Sequence, residues 1–237
     1  MDPLFAVYKQ FNDSKLEHFA SMKHRIHSLP AELFPSDDLP DRLARSLVKH
    51  RAIHIKELLE AFEFFAKVRK RVRRPTMIDL CAGHGLVGLI FALCEPGVLE
   101  VKLIDERQPP SFSRIFQAFV EIAPWVEDKV TYYERCLNEP LGIDKHSGLL
   151  LVHACGSLTD EGLKIAEDAG VPVAAMPCCY GKAHPAKVPS LSREFGRETN
   201  IDISRSYRMA NSGYQVDWSA IPRAITPMNR IIVAWGR

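Results

Sequence analysis

The chain of 237 residues has no apolar run that approaches the roughly 20 residues of a transmembrane helix. Its first ten residues contain no basic segment followed by an apolar one, so we expect no signal peptide. The six cysteines are scattered along the chain, which is typical of free thiols in a reducing compartment and not of a disulfide framework. The sequence therefore predicts a cytoplasmic protein without a membrane segment.

A large net charge is also absent, since the formal charge is +2. The chain is therefore not a polycation, and any binding of nucleic acid must come from a local patch. One such patch runs from Lys67 to Arg74 and holds six basic residues. It is either a solvated helix end or a phosphate-binding surface beside the active site, which would make RNA a partner.

The pattern of apolar residues divides the chain near residue 75. Residues 1–75 form a predicted helical extension, because apolar residues between 43 and 65 mostly recur at three- and four-residue steps. Residues 76–237 alternate short apolar runs with helical stretches, beginning with a strand at 76–80 and a helix at 86–94. Seven such strands predict an α/β domain with a doubly wound, mostly parallel seven-stranded sheet.

A glycine-rich turn joins the first predicted strand to the first predicted helix of that domain. Asp79, Cys81, Gly83 and Gly85 lie in the run M-I-D-L-C-A-G-H-G-L-V-G at residues 77–88. Glycine is needed where a tight turn adopts positive φ and a ligand approaches the backbone. We expect these four residues to contact a nucleoside, and an ordinary turn without a ligand is the simplest alternative.

Asp105 ends the second predicted strand, about 26 residues after Asp79. A carboxylate there can accept hydrogen bonds from both ribose hydroxyls, each contributing about 1.5–3 kcal/mol. Gly83, Gly85 and Gly88 also read G-x-G-x-x-G, the dinucleotide pattern, so an NAD-dependent oxidoreductase is one alternative. The neutral turn better suits a sulfonium nucleoside that carries no phosphate.

The order of these residues resembles the first motif of class I methyltransferases, D-L-x-x-G-x-G, with Cys81 where glycine is commoner. The resemblance implies a Rossmann-like fold and S-adenosyl-L-methionine as the cofactor. A methyltransferase-like module that binds this cofactor without turnover is a further alternative. In this fold the third strand ends near the adenine, so Glu134 and Cys136 are predicted to line the adenine pocket.

Two cysteine-containing loops follow the fourth and fifth predicted strands. One reads H-A-C-G-S-L-T-D and begins with His153 and Cys155, and the other reads P-C-C-Y-G and contains Cys178, Cys179 and Tyr180. The C-terminal ends of these neighbouring strands lie beside the switch point of a doubly wound sheet. We therefore expect all five side chains to converge near the transferable methyl group, with His153 and Cys155 also close to the cofactor.

This pair of loops resembles the methyltransferase domain of glutathione S-transferase C-terminal-domain-containing proteins. The resemblance covers roughly residues 45–237 and includes P-M-N-R at residues 227–230. A related pair of motifs marks the tRNA acceptor-stem 2′-O-methyltransferases, whose zinc-finger segment has no evident counterpart in this chain. The resemblance implies methyl transfer from S-adenosylmethionine, with RNA as the first acceptor to consider and protein or small molecules as the others.

Four roles are open for the residues of these loops. His153 could act as a base or donor and Tyr180 could stack on a planar substrate. Cys178 or Cys179 could attack a pyrimidine ring, which requires a thiolate. Zinc could bind the three cysteines and His153, but adjacent cysteines do not easily reach one tetrahedral ion, so no metal is predicted. The cysteines could instead pack under the cofactor.

The segment 181–213 is long and polar, with two prolines and several serines and arginines. Long loops of this composition often carry substrate contacts or form lids. We therefore expect a loop here that carries substrate contacts or forms a lid.

Overall fold

A computed structural model describes residues 2–22, 25–28, 31–180 and 188–236. Seven strands form one sheet in the order β3-β2-β1-β4-β5-β7-β6. The first five strands are parallel, whereas β7 is antiparallel to both β5 and β6. The predicted doubly wound, mostly parallel seven-stranded sheet is confirmed. The strands are β1 Thr76–Leu80, β2 Glu100–Asp105, β3 Val130–Glu134, β4 Ser147–Val152, β5 Val173–Met176, β6 Gln215–Ala220 and β7 Arg230–Trp235.

Helices cover both faces of the sheet, as parallel strands joined by helical crossovers require. The strands β1 and β4 are almost wholly buried, which accounts for their continuous apolar sequences. The α-helices of the described residues are α1 Ser14–Glu17, α2 Leu39–Lys49, α3 Ile55–Val72, α4 Leu86–Cys94, α5 Ser111–Ile122, α6 Leu158–Ala169, α7 Pro189–Phe195 and α8 Arg197–Asn211.

The helical pattern between residues 43 and 65 belongs to two helices. The chain leaves α2 through Arg51, whose φ of +50° is incompatible with a continuous helix. It then enters α3 at His54, whose backbone N–H donates to the Glu57 carboxylate at 2.9 Å. This contact satisfies one of the N–H groups that a helix start leaves without a partner, so it fixes where α3 begins.

The helix α3 packs against α4 and β7, and its apolar residues share one core with the sheet. Its last residue, Val72, is followed after three residues by β1, so its C-terminal end lies at the edge of the sheet where the parallel strands begin. Its first turns lie at the opposite edge, where those strands end. The N-terminal residues therefore contribute to the surface at which a doubly wound sheet binds ligands. The division near residue 75 stays a prediction.

The polar segment after residue 180 is largely helical, in contrast to the expected loop. It contains α7 and α8, while residues 181–187 lie outside the described part of the chain. The helix α8 buries Asp202 and Arg205 on one face and Asn200 on another, together with Ile201 and Met209. Because Asn200, Asp202 and Arg205 are polar, a search for apolar periodicity could not detect their burial.

Gly148 on β4 lies against the C-terminal end of α3. A Cβ atom added there would lie 2.2 Å from the backbone carbonyl oxygen of Val72. We expect Gly148→Ala to lower the free energy of unfolding by about 3 kcal/mol, because the Val72 carbonyl cannot move aside without disturbing the end of α3. Denaturant unfolding measures this change. Gly97→Ala is the control, since an added Cβ meets nothing within 4 Å there. Equal stability of both variants would contradict the prediction.

Candidate active site

A cavity of about 1050 Å³ opens where β1, β2 and β4 end. Pockets for small molecules commonly have volumes of roughly 300–1,000 Å³, so it has room for a nucleoside and a second molecule. Its wall combines the turn after β1, the ends of β2 and β4 and the first turns of α3. Predicted site residues in this wall are Asp79, Cys81, Gly83, Asp105, Cys136, His153, Cys155 and Cys178.

The turn between β1 and α4 adopts left-handed backbone conformations. Cys81, Gly83 and Gly85 have φ values of +57°, +52° and +73°. Cys81 bears a side chain in a conformation that favours glycine, and backbone strain of this kind persists mainly at functional sites. Gly85 does not line the cavity; its role is packing, since a Cβ there would lie 2.5 Å from the Cδ1 atom of Leu103 on β2.

The two predicted aspartates fix the turn and the start of the helix that follows it. Asp79 is 2% exposed and its Oδ2 accepts a hydrogen bond from the backbone N–H of Gly88 at 3.0 Å. Burial raises the pKa of Asp79 to about 7. Asp105 Oδ2 accepts from the N–H of Gly83 at 2.8 Å and remains partly exposed in the cavity wall. Asp105 therefore combines a fixed position with access to a ligand.

The two residues that the sequence predicts near the adenine differ in their positions relative to the cavity. Cys136 lines the cavity, but Glu134 does not. The Glu134 carboxylate instead accepts from the backbone N–H of Gln108 at 2.8 Å. Tyr132, two residues earlier on β3, was not singled out by the sequence, yet its hydroxyl donates to the Gly83 carbonyl at 2.7 Å. The third strand thus supports the turn through a tyrosine.

His153 follows the end of β4 and faces a buried carboxylate. Its φ is +59°, and its Nε2 lies 2.9 Å from Glu60 Oε2 on α3. The Glu60 side chain is only 5% exposed, and its second oxygen, Oε1, is buried without a hydrogen-bond partner among the described residues. A buried carboxylate oxygen without a partner is energetically costly, so it marks a position where a ligand or water can bind.

A second acidic residue of α3, Glu57, lies one turn earlier in the same wall. Its Oε1 is 3.6 Å from His84 Nε2, which belongs to the turn after β1. Burial opposes ionisation of Glu57, but hydrogen bonds from His84 and the His54 backbone outweigh it and lower the pKa to about 2. Glu57 is therefore a permanent negative charge. Sequence reasoning missed Glu57 and Glu60, whose three-residue spacing puts both on one helix face.

Cys155, Cys178 and Cys179 bring their sulfur atoms together at the ends of β4 and β5. Sγ of Cys178 lies 3.6 Å from each of the other two sulfurs. Cys155 and Cys178 line the cavity, whereas Cys179 does not. Burial raises the pKa of Cys178 well above its usual range, and burial also raises that of Cys155. Little thiolate forms under these conditions, which does not favour Cys178 as a nucleophile.

Tyr180 lies outside the cavity wall and points towards α8. Its hydroxyl donates to Asp202 Oδ2 at 2.6 Å, and its carbonyl accepts from Arg197 Nη1 at 3.0 Å. The guanidinium of Arg205 lies 5.4 Å from the centre of its ring. These contacts anchor the loop that carries Cys178 and Cys179, and they do not place Tyr180 for stacking on a ligand in the cavity.

The basic stretch from Lys67 to Arg74 occupies the C-terminal part of α3 and the residues after it, beyond those that line the cavity. The helix rises about 9 Å from Ala61, its last residue in the cavity wall, to Lys67 and about 16 Å to Val72. Several of its charges already have partners, because Glu95, at 2% side-chain exposure, binds both Arg69 and Arg73. Arg71 pairs with Asp217 and lies over the ring of Trp235. At least three of the six basic residues of the stretch therefore have a structural role.

Comparisons with solved structures identify the fold. The S-adenosylmethionine-dependent methyltransferase SibL, in its apo form, aligns with a TM-score of 0.51 and 14% identity over 97% of this chain and 73% of its own. An O-methyltransferase family protein from Burkholderia thailandensis aligns with a TM-score of 0.44 and 15% identity over 85% of this chain. This chain spans 61% of the length of that protein. No protein-family model and no curated protein matches the sequence.

The likeness to SibL shows that the chain has the Rossmann-like fold of class I methyltransferases. At this low identity the likeness concerns the fold alone. The resemblance of the two cysteine loops to narrower methyltransferase groups stays a prediction. Among the described residues, no helix is both long and apolar enough to cross a membrane.

Proposed function

We propose that this protein is an S-adenosylmethionine-dependent methyltransferase. The observation that carries the proposal is one cavity that contains Asp105 and the Gly83 turn as well as the His153–Glu60 pair. The first two features suit the ribose and backbone contacts of an adenosyl group. The pair adds a proton acceptor in the same space. The residues suited to binding the adenosyl group and the residues suited to accepting a proton therefore lie within reach of one bound cofactor.

The charges of the cavity fit a cationic cofactor. Two residues in the wall, Lys56 and Arg135, are permanently basic, against five acidic residues besides the buried Asp79, namely Glu57, Glu60, Asp105, Glu106 and Glu161. A site of this sign attracts a sulfonium group and repels a pyrophosphate. The same argument disfavours NAD, although Gly83, Gly85 and Gly88 match the dinucleotide spacing.

The acidic wall also bears on the methyl acceptor. An RNA acceptor would bring phosphates towards these carboxylates, and the basic stretch that could offset them lies at the other end of α3. We therefore propose an acceptor that presents a hydroxyl, thiol or amine without a neighbouring phosphate. RNA stays a prediction of the sequence that neither the charges of the cavity nor the position of the basic stretch supports.

His153 and Glu60 divide the proton chemistry between them. S-adenosylmethionine supplies a methyl group that its sulfonium charge already activates. The Glu60 carboxylate holds a proton on Nε2 of His153, which leaves Nδ1 free to accept the proton of the acceptor. Glu60 then stabilises the imidazolium that forms. General-base catalysis of this kind contributes roughly 10²–10⁴-fold to a rate.

Binding of the cofactor product tests the first part of the proposal. Isothermal titration with S-adenosylhomocysteine is expected to show binding, and NADH is expected to show none. Incubation with methyl-labelled cofactor and fractionated cell extract then identifies the acceptor. Absence of binding at millimolar S-adenosylhomocysteine would overturn the proposal. Tight binding without labelling of any fraction would instead indicate a module that has lost activity.

Glu60→Gln tests the role of the pair. We expect the rate of acceptor labelling to fall about 100-fold, because a neutral amide neither fixes the proton on Nε2 nor stabilises an imidazolium. The affinity for S-adenosylhomocysteine should change by less than about 3-fold, since Glu60 is not assigned to the adenosyl group.

Glu63→Gln is the matched control for this variant. Glu63 is another buried glutamate of α3, but it accepts hydrogen bonds from the backbone of Ala6 and Val7 and does not line the cavity. Its substitution should lower stability and leave the labelling rate of the folded protein unchanged. Equal labelling rates for the Glu60→Gln variant and the wild type would exclude Glu60 from the mechanism.

A further inference from the structure

Three thiols from two different loops form a compact cluster at the border of the cavity, with Cys155 and Cys178 in its wall. The sulfurs of Cys155, Cys178 and Cys179 all lie within 4.8 Å of one another, and two of the three separations are 3.6 Å. Cys155 and Cys179 are exposed and Cys178 is half-buried, so a small ion can reach the cluster from solvent. Cys155 follows β4 and the other two follow β5, so the parallel pairing of these strands brings the sulfurs together.

Two of the three sulfur–sulfur separations match the ligand geometry of a tetrahedral metal site. Zinc–sulfur bonds of about 2.3 Å at angles of about 109° place two sulfur ligands about 3.8 Å apart. The observed 3.6 Å requires a shift of only a few tenths of an ångström. Adjacent cysteines were expected to have difficulty in reaching one ion, but Cys178 and Cys179 do not diverge here. The geometric objection from the sequence therefore does not apply to this loop.

The surrounding structure holds both loops in place without a metal. The backbone N–H of His153 donates to the Met176 carbonyl, which ties the end of β4 to β5 at 3.2 Å. Thr159 Oγ1 donates to the Ala154 carbonyl at 2.6 Å, and Tyr180 is anchored to Asp202. A rigid set of donors lowers the ordering cost of binding, so the cluster is pre-organised for a ligand.

We propose that Cys155, Cys178 and Cys179 bind a thiophilic divalent cation of the zinc type. No fourth histidine, cysteine or carboxylate within residues 2–22, 25–28, 31–180 and 188–236 joins the three sulfurs at this distance. Solvent or an incoming donor then completes the coordination, as in metal sites with three protein ligands and an open position. On binding, three S–H bonds lose their protons to the buffer and three metal–sulfur bonds form. The site does not depend on the proposed methyl transfer.

The test uses the reduced full chain and the metal ions alone. Protein freed of metal by chelation is titrated with zinc against a chromogenic chelator, and with cadmium while sulfur-to-cadmium charge-transfer absorbance is recorded. We expect saturation at one ion per chain, with the absorbance of three thiolate ligands. A wild-type chain that binds neither ion under reducing conditions, or that shows no thiolate absorbance with cadmium, would overturn the proposal.

Single serine variants identify the ligands. Cys155→Ser and Cys178→Ser should each weaken zinc binding by at least about 100-fold, since even partners outside the ligand set change metal affinity by roughly 10–100-fold. Cys136→Ser is the control for an exposed thiol outside the cluster, and its zinc affinity should equal that of the wild type. Circular dichroism checks that each variant is folded. Unchanged zinc affinity in the Cys155→Ser variant, or an equal loss in the Cys136→Ser variant, would exclude this set of ligands.

Discussion

Asp105→Asn is expected to weaken the binding of S-adenosylhomocysteine about 100-fold, as measured by isothermal titration. Asparagine keeps the size of the side chain, and its amide oxygen can still accept from the Gly83 N–H. The substitution therefore removes mainly the negative charge that would accept the ribose hydroxyls. Hydrogen bonds to a charged acceptor contribute about 1.5–3 kcal/mol each, and a 100-fold loss corresponds to about 2.7 kcal/mol.

Glu134→Gln is the matched control for this result. Glu134 is the register partner of Asp105 on β3, so the two carboxylates end neighbouring strands side by side. Only Asp105 lines the cavity. The control should change the affinity by less than about 3-fold. A weak effect of Asp105→Asn, or equal effects of both substitutions, would show that the adenosyl group does not bind at the end of β2.

The sequence was sufficient for the parts of the fold that local chemistry determines. The predicted bounds of β1 and α4, 76–80 and 86–94, are those of the structure, because a buried apolar strand, glycines at positive φ and an apolar helix follow one another directly. Asp105 could be predicted for the same reason, since the last residue of a parallel strand lies at the ligand-binding edge.

The carboxylates of α3 could not be predicted in this way. In an isolated amphipathic helix Glu57 and Glu60 belong to the polar face, which periodicity assigns to solvent. The burial of Glu60 and the partial burial of Glu57 depend on the first turns of α3 meeting the edge of the sheet, which is a contact between distant parts of the chain. The same limit applies to α8, whose buried face is polar and whose partners are Asp160, Tyr180 and Arg230.

This polar face makes Arg205→Met the substitution with the largest expected effect on stability, a loss of about 3–5 kcal/mol in the free energy of unfolding. The Arg205 side chain is 1% exposed and pairs with Asp160 at 2.8 Å and with Asp202 at 3.2 Å. Methionine replaces the apolar stem of the arginine but leaves the carboxylate of Asp202, which is wholly buried, with one fewer positive partner. Breaking one side of a buried ion pair is more costly than removing both sides.

Denaturant unfolding measures this loss, and Lys164→Met is the control. Lys164 pairs with Asp168 on the surface of α6, where such pairs contribute only about 0.3–0.5 kcal/mol. The two variants should therefore differ by several kcal/mol. Asp202 also accepts a hydrogen bond from Tyr180, which anchors the loop that carries Cys178. Cys178 should therefore react with thiol reagents at a higher rate in the Arg205→Met variant than in the control. A stability loss below about 1 kcal/mol would mean that Arg230 alone neutralises Asp202.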